Sequence, residues 1–410
     1  MKGYATRVVH GNISRKDIHG SLRPPLYDTV AFEFESSRDL ELAFAGRKPS
    51  HAYSRITNPT VEEFEERIRL LSNAFGVVAV SSGMAAIANT VLALAKPNSN
   101  VVTSKHLFSH TLSLFEQTLG LWGLEVRFAD MTTPESVQAS IDENTALIFL
   151  EVISNPQLEI ADVAAVCSVA AKRNVPVVLD GTLTTPYLFH SKEAGVAVEV
   201  LSSTKYISGG ATTIGGLIID NGVFDWGMIA ATGDLAKKVG PGAFLMRLRK
   251  EVYRNTGACL SAHNAWLQIL GLETLPLRIS RSSENALAAA RFLSTVSGVK
   301  RVNYPGLESS RWYSIAARQF KRGFGGLLTF ELESKEACFR MMDSLKIIRR
   351  ATNLSDNKSL IIHPGSTIYA DFSAEQRIKM DISDGLIRLS VGIEDIEDII
   401  EDLAQGLEKI

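Results

Sequence analysis

The sequence of 410 residues lacks several features that would place it in well-known classes of protein. It has only three cysteines, Cys167, Cys259 and Cys338, and no CxxC pair. This odd, unpaired set argues against a disulfide framework or a zinc knuckle and favours a reducing, cytoplasmic location. The eight histidines form neither an HExxH motif nor a tight cluster with cysteine. We therefore expect no metal site.

Concentrated charge and long apolar runs are also scarce. The formal net charge is -2, and Lys and Arg are scattered rather than gathered into a basic stripe, so we expect no nucleic-acid partner. A small acidic or neutral substrate fits better. The longest apolar stretch, Ala85 to Ala95, is too short to span a bilayer, and residues 1–15 have no apolar core of the kind found in signal peptides. No membrane partner is expected.

The order of the apolar runs predicts the fold. A composition of 45% apolar and 21% charged residues is typical of a globular protein with a large core. Residues 1–57 are rich in Gly, Pro, Ser and Arg with little periodicity, which predicts an extended arm that becomes ordered on another surface. From Pro59 onward, apolar runs alternate with amphipathic stretches in a βα rhythm. The predicted strands are Val77–Val80, Asn100–Thr103, Glu125–Phe128, Ala146–Leu150, Pro176–Leu179, Val198–Leu201 and Gly216–Ile219.

These runs predict an α/β protein with a mostly parallel, seven-stranded, doubly wound sheet. After about residue 256 the rhythm changes to two long helices, Cys259–Leu272 and Leu277–Val296, followed by shorter strands and a last helix over Ile393–Leu407. We interpret this part as an α+β unit. The predicted organisation is an N-terminal arm (1–57), a large domain (58–255) and a C-terminal domain (256–410).

In open α/β sheets, ligands bind at the carboxyl ends of strands. The run Val77–Val80 continues through Ser82, Gly83 and Met84 directly into a helix. Small residues and free amides at a helix N-terminus suit a phosphate, although a plain helix cap would look the same.

Two further strand ends carry ionisable groups. Asp180 ends one run, where an aspartate is ordinarily a turn former but could also face a cofactor cation. Lys205 follows another run, between the hydroxyls of Ser202 and Thr204 and a glycine-rich segment. A lysine able to form a Schiff base, a phosphate cup and an anion for a ring nitrogen are the set that pyridoxal 5'-phosphate requires. The sequence has no GxGxxG, GxxxxGK[ST] or GxSxG motif for a competing chemistry.

The segment SSTKYISGGATTIGG resembles the lysine signature of the Cys/Met metabolism family of fold-type I pyridoxal-phosphate enzymes, and the similarity extends over nearly the full chain. The resemblance implies that Lys205 holds the cofactor and that Asp180 faces its ring nitrogen. It also implies a phosphate cup, made by Ser82, Gly83, Met84, Ser202 and Thr204.

Three other segments are similar to the family in the same order. AYSRITNPT implies that Tyr53 and Arg55 reach the phosphate of a neighbouring subunit, and hence a homo-oligomer that is at least a dimer. The sequence does not decide between dimer and tetramer, and the resemblance favours a dimer of catalytic dimers. FLEVISNP implies that Asn155 lies at the cofactor's phenolic oxygen, with Glu151 in support. LIRLSVGIED implies that Arg388 binds the substrate α-carboxylate, the alternative being a surface arginine in a strand.

Within the family, ATNLSDNKSLIIHPGST looks closest to O-acetylhomoserine sulfhydrylases. The resemblance implies that Asn353 and Ser366 line the carboxylate side of an amino-acid substrate. It implies γ-replacement of O-acetyl-L-homoserine by a sulfur nucleophile, giving L-homocysteine and acetate in methionine biosynthesis. The sequence leaves open an O-succinyl ester, and sulfide, a thiol or a sulfur-donor protein as the sulfur source.

Cystathionine γ-synthase, which shares every step but uses cysteine, is the nearest alternative. Methionine γ-lyases characteristically have a cysteine where this chain has His110, which disfavours that activity. A cofactor-binding pseudoenzyme is the remote alternative.

The chain departs from the family at three positions. Phe108 stands where a tyrosine usually stacks on the cofactor ring, so the stacking face is kept and the phenol is lost. Gly181 replaces the usual asparagine after the ring-nitrogen aspartate, and Gly210 replaces a histidine after the lysine motif. These positions are expected to affect substrate preference rather than the cofactor.

Overall fold

The computed structural model describes residues 3–12 and 17–410, so residues 1–2 and 13–16 of the predicted arm lie outside the description. Within this arm are two short helices, α1 (Tyr4–His10) and α2 (Ser37–Phe44). The first regular helix of the main body, α3 (Pro59–Ser72), begins where its pattern predicts. Asn58 caps it by accepting a hydrogen bond from the Thr60 amide, and Pro59 occupies its first turn. The arm is therefore only partly extended.

A seven-stranded sheet forms the centre of the described structure. Its strands are β1 (Gly76–Val80), β2 (Asn100–Thr103), β3 (Glu125–Phe128), β4 (Thr145–Glu151), β5 (Val177–Asp180), β6 (Val198–Leu201) and β7 (Gly216–Asp220). Their spatial order is β1-β7-β6-β5-β4-β2-β3. All neighbouring strands are parallel except β7, which is antiparallel to both β6 and β1. The predicted mostly parallel, doubly wound sheet is confirmed.

Helices cover both faces of this sheet. After α3 they are α4 (Gly83–Leu94), α5 (Ser109–Ser113), α6 (Pro134–Ser140), α7 (Val163–Ala171), α8 (Thr185–Leu188), α9 (Gly233–Val239), α10 (Ala243–Arg247) and α11 (Arg254–Thr256). Two π-helical turns, Leu114–Leu119 and Leu248–Tyr253, extend α5 and α10. Val78 and Val80 of β1 pack under α4 and α10, whereas Val77 and Ala79 face α3. Burial of both faces explains why the strand sequences are continuously apolar.

A second, five-stranded sheet follows in the chain. Its strands are β8 (Arg301–Asn303), β9 (Leu327–Glu331), β10 (Arg349–Arg350), β11 (Leu360–Ile362) and β12 (Leu386–Ser390). The accompanying helices are α12 (Ala262–Glu273), α13 (Leu275–Leu293), α14 (Tyr313–Gln319), α15 (Lys335–Ser344), α16 (Ala374–Lys379) and α17 (Ile396–Leu407). The strand order is β10-β11-β12-β9-β8, mostly antiparallel. α13, α15 and α17 enclose its core.

Among residues 3–12 and 17–410, no helix has the length and apolarity needed to cross a membrane.

Asp402 of α17 fastens this helix to the segment that follows α15. Its carboxylate accepts hydrogen bonds from the amides of Lys346, Ile347 and Ile348 at 2.8 to 2.9 Å. Burial alone would raise the pKa of Asp402, but these amide hydrogen bonds lower it overall. The pKa of Asp402 is therefore lower in the folded state than in the unfolded state. The carboxylate contributes its full stabilisation at pH values above the pKa of the unfolded state, and this contribution is lost as the pH falls through the pKa of the folded state.

We therefore expect Asp402→Ala to lower the free energy of unfolding by about 1–3 kcal/mol at neutral pH, because three amides lose their acceptor. The neighbouring exposed Glu401→Ala is the control and should change it by less than about 0.5 kcal/mol. Urea unfolding at neutral and acidic pH measures both variants. A constant difference between Asp402→Ala and the wild type down to strong acid would contradict the role given to the carboxylate.

Candidate active site

A cavity of about 690 Å³ opens at the carboxyl edge of the seven-stranded sheet and extends to the second sheet. Most of the residues singled out from the sequence meet in its lining: Ser82, Gly83, Met84, Phe108, Asn155, Asp180, Ser202, Thr204, Lys205, Asn353 and Arg388. They come from separate strand ends, as expected for an open α/β sheet. The cavity is large enough for a cofactor together with a small substrate.

Close backbone packing forms one end of the cavity. The Ser82 hydroxyl caps α4 by accepting from the Ala85 amide at 3.1 Å. A Cβ atom on Gly83 would lie 2.6 Å from Cβ of Ser202, and one on Gly216 would lie 2.1 Å from the Ser82 carbonyl oxygen. Glycine is therefore required at both positions. The helix N-terminus, with Ser202 and Thr204 beside it, makes a small polar cup suited to a phosphate.

Lys205 lies in the loop between β6 and β7, with its side chain in the cavity. Its Nζ donates a hydrogen bond to Oδ1 of Asn353 at 2.7 Å. Burial, chiefly, and the positive charge of Arg388 together lower the pKa of Lys205 to about 8, although the carboxylate of Asp356 opposes this shift. A larger share of the amine is thus neutral near physiological pH, which is the nucleophilic form.

Two carboxyl groups lie side by side at the mouth of the sheet. Glu151 and Asp180 are register partners at the ends of β4 and β5. Glu151 accepts from the amides of Phe108 at 2.6 Å and Asn155 at 3.2 Å, and Asp180 accepts from the Thr182 amide at 2.9 Å. Burial raises the pKa of both carboxyls, and the charge of Asp180 raises that of Glu151 further. A cation beside Asp180 would relieve this cost.

Arg388 is buried in the middle of β12, not on the surface of a strand. Its Nη1 donates to Oδ1 of Asn155 at 3.0 Å, and its Nη2 donates to the Thr352 and Asn353 carbonyls at 3.0 and 3.2 Å. Its Nε is buried without a hydrogen-bond partner within the described residues. Burial lowers the pKa of Arg388 to about 10, so the guanidinium remains charged at neutral pH.

Three residues named from the sequence do not line this cavity. Tyr53 and Arg55 lie outside it, with the Arg55 guanidinium 5.3 Å from the Tyr53 ring and bonded to the Arg254 carbonyl at 2.7 Å. Ser366 hydrogen-bonds to Nδ1 of His363 at 2.9 Å, while the next residue, Thr367, lines the cavity.

The structure gives a physical reason for two departures from the family. A Cβ atom on Gly181 would lie 2.2 Å from Oε1 of Glu199, a buried carboxyl whose pKa burial raises to about 8. A Cβ atom on Gly210 would lie 2.5 Å from Nδ2 of Asn357, which donates to the Gly209 carbonyl at 3.0 Å. In each case, another side chain of this sequence occupies the space. Glu199 was missed in the sequence, where its only signal is a lone charge within an apolar strand.

The lining also includes residues that the sequence did not single out. Thr182 positions its neighbours, because its hydroxyl accepts from the Ser202 amide at 2.8 Å. Its place two residues beyond the strand-ending Asp180 was the available signal.

Comparison with known proteins agrees with the fold and the cavity. The profile of the family described as Cys/Met metabolism PLP-dependent enzymes matches residues 5–408. An O-acetyl-L-homoserine sulfhydrylase of Corynebacterium glutamicum is 36% identical over 100% of this chain and 97% of its own. An L-methionine gamma-lyase of Pseudomonas putida is 35% identical over 99% of this chain and 98% of its own.

Solved structures give the same result. An O-acetylhomoserine sulfhydrylase from the methionine biosynthetic pathway of Wolinella succinogenes is 51% identical, covers 86% of this chain and 99% of its own, and superposes with a TM-score of 0.79. A Campylobacter jejuni protein with a pyridoxyl-lysine 5'-monophosphate group is 34% identical, covers 99% of this chain and 100% of its own, and has a TM-score of 0.92.

The fold and the cavity thus define a pyridoxal-phosphate-dependent enzyme of fold type I. The chain belongs to the Cys/Met metabolism family of these enzymes, and its cofactor is pyridoxal 5'-phosphate.

The cavity fits that cofactor on two observations from the structure. The glycine-lined cup at Gly83 and Gly216 leaves room for a phosphate next to backbone amides. The buried Asp180 has no cationic partner among the described residues, and a protonated ring nitrogen would supply one.

The space at Gly181 can be tested by substitution. Gly181→Asn, which introduces the residue usual in the family, should lower the free energy of unfolding by about 1–3 kcal/mol because its Cβ atom meets Glu199. Gly242→Asn is the control, since a Cβ atom there meets nothing within 4 Å. In the Gly181→Asn/Glu199→Ala double variant, the loss should be smaller than the sum of the single losses, as measured by urea unfolding. Strict additivity would contradict the packing argument.

Proposed function

We propose that this enzyme catalyses γ-replacement on O-acetyl-L-homoserine, in which a sulfur nucleophile, sulfide or an equivalent donor, displaces acetate to give L-homocysteine for methionine biosynthesis. One arrangement carries the proposal: the amine of Lys205 and the buried guanidinium of Arg388 face the same cavity, linked through Asn353. A proton-transferring group and a carboxylate-binding group would then lie within reach of one amino-acid substrate. The similarity to O-acetylhomoserine sulfhydrylases directs the choice of reaction.

The cofactor would be held by Lys205 and by groups around it. Asp180 would face the ring nitrogen, and Asn155 the phenolic oxygen. Phe108 would stack on the ring. The phosphate would be bound by Ser82, Gly83, Met84, Ser202 and Thr204.

The substrate would bind through its α-carboxylate to Arg388, whose unpartnered Nε is a free donor among the described residues. Asn353 lies on the same side, and Ser366, which precedes the lining residue Thr367, would complete this side of the substrate site. When bound, pyridoxal 5'-phosphate supplies an electron sink that acidifies the substrate Cα and Cβ. Lys205, with its lowered pKa, can take the proton from Cα and then from Cβ. The γ-ester bond then breaks with its electron pair on acetate.

The positions of Tyr53 and Arg55 support a proposal about the arrangement of the subunits. They lie outside the cavity of their own chain, and Tyr53 is 40% exposed, so we propose that they bind the cofactor phosphate of a neighbouring subunit in a catalytic dimer, two of which would form a tetramer. The arm (1–57) would cross to that neighbour. Residues 58–255 would form the cofactor-binding domain and 256–410 the smaller one. The cytoplasmic location remains a prediction from the sequence.

The reaction can be tested with cofactor-loaded protein. We expect homocysteine from O-acetylhomoserine and sulfide to form faster than cystathionine from the same ester and cysteine, and faster than methionine is cleaved. Dominant cystathionine formation would assign the synthase activity, and dominant methionine cleavage the lyase. O-succinylhomoserine is the parallel test of the leaving ester. A cofactor-loaded protein that turns over none of these substrates would favour a pseudoenzyme.

Lys205→Ala should abolish steady-state homocysteine formation, because the variant lacks the group that moves protons between Cα and Cβ. Lys238→Ala is the matched control, since Lys238 is exposed on α9, and should retain wild-type turnover. Retention of turnover by Lys205→Ala would rule out the proposed mechanism.

A further inference from the structure

The loss of the phenol at Phe108 changes where a proton is needed in this reaction. A carboxylic acid has an ordinary pKa of roughly 4, so acetate leaves as a stable anion without an acid to protonate it. A thiol has an ordinary pKa of about 8.5 and enters mainly in its protonated form. A γ-replacement on an ester therefore needs a base for the entering sulfur more than an acid for the leaving group. Phe108 can serve as neither.

His110 lies where such a base is needed. It lines the same cavity as Phe108 and Lys205. Its imidazole packs against the Phe108 ring edge to face, with ring centroids 5.0 Å apart and an interplanar angle of 68°. The side chain is exposed, and neither ring nitrogen has a hydrogen-bond partner among residues 3–12 and 17–410. Histidine readily accepts and returns a proton near neutral pH.

The other ionisable groups of the lining already have partners or roles. Glu151 accepts two backbone amide hydrogen bonds. Asp180 accepts one and would face the ring nitrogen of the bound cofactor. Lys205 serves Cα and Cβ, and Arg388 is a cation that stays protonated at neutral pH. These four groups face the cavity that His110 shares. Among the lining residues, only His110 combines a free proton acceptor with a position beside Phe108.

We propose that His110 is the catalytic base that accepts the proton of the entering sulfur nucleophile. After acetate has left, the S–H bond breaks with its proton going to an imidazole nitrogen, and the sulfur electron pair forms the C–S bond at Cγ. The electron pair of the Cβ–Cγ double bond would be accepted by the electron sink that bound pyridoxal 5'-phosphate supplies, and Lys205 would return one proton to Cβ and one to Cα. The imidazole then releases its proton to solvent. This role rests on the proposed function and identifies the group that does the work of the missing phenol.

The test compares His110→Gln with the wild type, and uses His263→Gln, an exposed histidine on α12, as the control. Two thiols of similar size serve as nucleophiles: ethanethiol and the more acidic 2,2,2-trifluoroethanethiol. We expect His110→Gln to lower kcat/KM for ethanethiol roughly 100-fold, and to lower it much less for the acidic thiol. The rate of the variant with ethanethiol should follow the ionised fraction of the thiol as the pH rises, whereas the wild type stays active at lower pH.

A second readout does not depend on turnover. When loaded enzyme is mixed rapidly with O-acetylhomoserine and no thiol, the change in cofactor absorbance reports the steps before sulfur enters. This rate should be unchanged in His110→Gln. In the Phe108→Tyr/His110→Gln double variant, the restored phenol should recover part of the thiol reaction.

The outcomes separate the two proposals. A wild-type protein that forms no product from O-acetylhomoserine and a sulfur nucleophile overturns the proposed function and this role with it. If the wild type is active, an unchanged kcat/KM and pH profile in His110→Gln overturns the role of His110 alone. So does an equal loss in the absorbance change, which would show that His110 only shapes the cavity.

Discussion

The cavity depends on a buried guanidinium whose two terminal nitrogens keep their hydrogen-bond partners. Arg388 belongs to the second sheet, yet its Nη1 donates to Asn155, in the loop that follows β4 of the first sheet. Its Nη2 donates to the Thr352 and Asn353 carbonyls. These hydrogen bonds fix the backbone of Asn353, whose side chain accepts a hydrogen bond from Lys205. A buried cation tolerates few arrangements, because each unmade hydrogen bond costs roughly 1–3 kcal/mol or more. The same contacts therefore join the two sheets and bring Lys205 and Arg388 into the lining of one cavity.

Much of this structure could be read from the sequence, for identifiable reasons. The strands Asn100–Thr103, Glu125–Phe128 and Val198–Leu201 have the predicted bounds, because apolar runs between turn residues define strands covered on both faces. The helix predicted directly after the first strand is also present, and it runs from Gly83 to Leu94. Positions at strand ends identified most of the cavity lining, since parallel strands deliver their carboxyl ends to one edge.

Other features depend on contacts distant in sequence. The two short helices of the arm, Tyr4–His10 and Ser37–Phe44, are too brief to show a reliable period. The local sequence around Arg388 does not distinguish a buried guanidinium from an exposed one. Only the resemblance to a family indicated that this side chain lies in the active site. In the sequence, Glu199 is only a charged residue within an apolar strand. The structure shows that its side chain fills the space next to Gly181, which follows the neighbouring strand. The space beside such a glycine is thus set by a side chain that is distant in sequence.

The antiparallel strand β7 has a consequence for how Lys205 is delivered. The loop that bears this lysine leaves β6 at Leu201 and returns in β7, where Leu217 is the register partner of Leu201. Both ends of the loop are thus fixed by adjacent strands of the central sheet, and the entropy of closing it is lost when the sheet folds. The amine needs little further ordering when a ligand arrives. The entropy lost in ordering this loop is therefore part of the folding free energy of the sheet. It does not reduce the affinity for the cofactor.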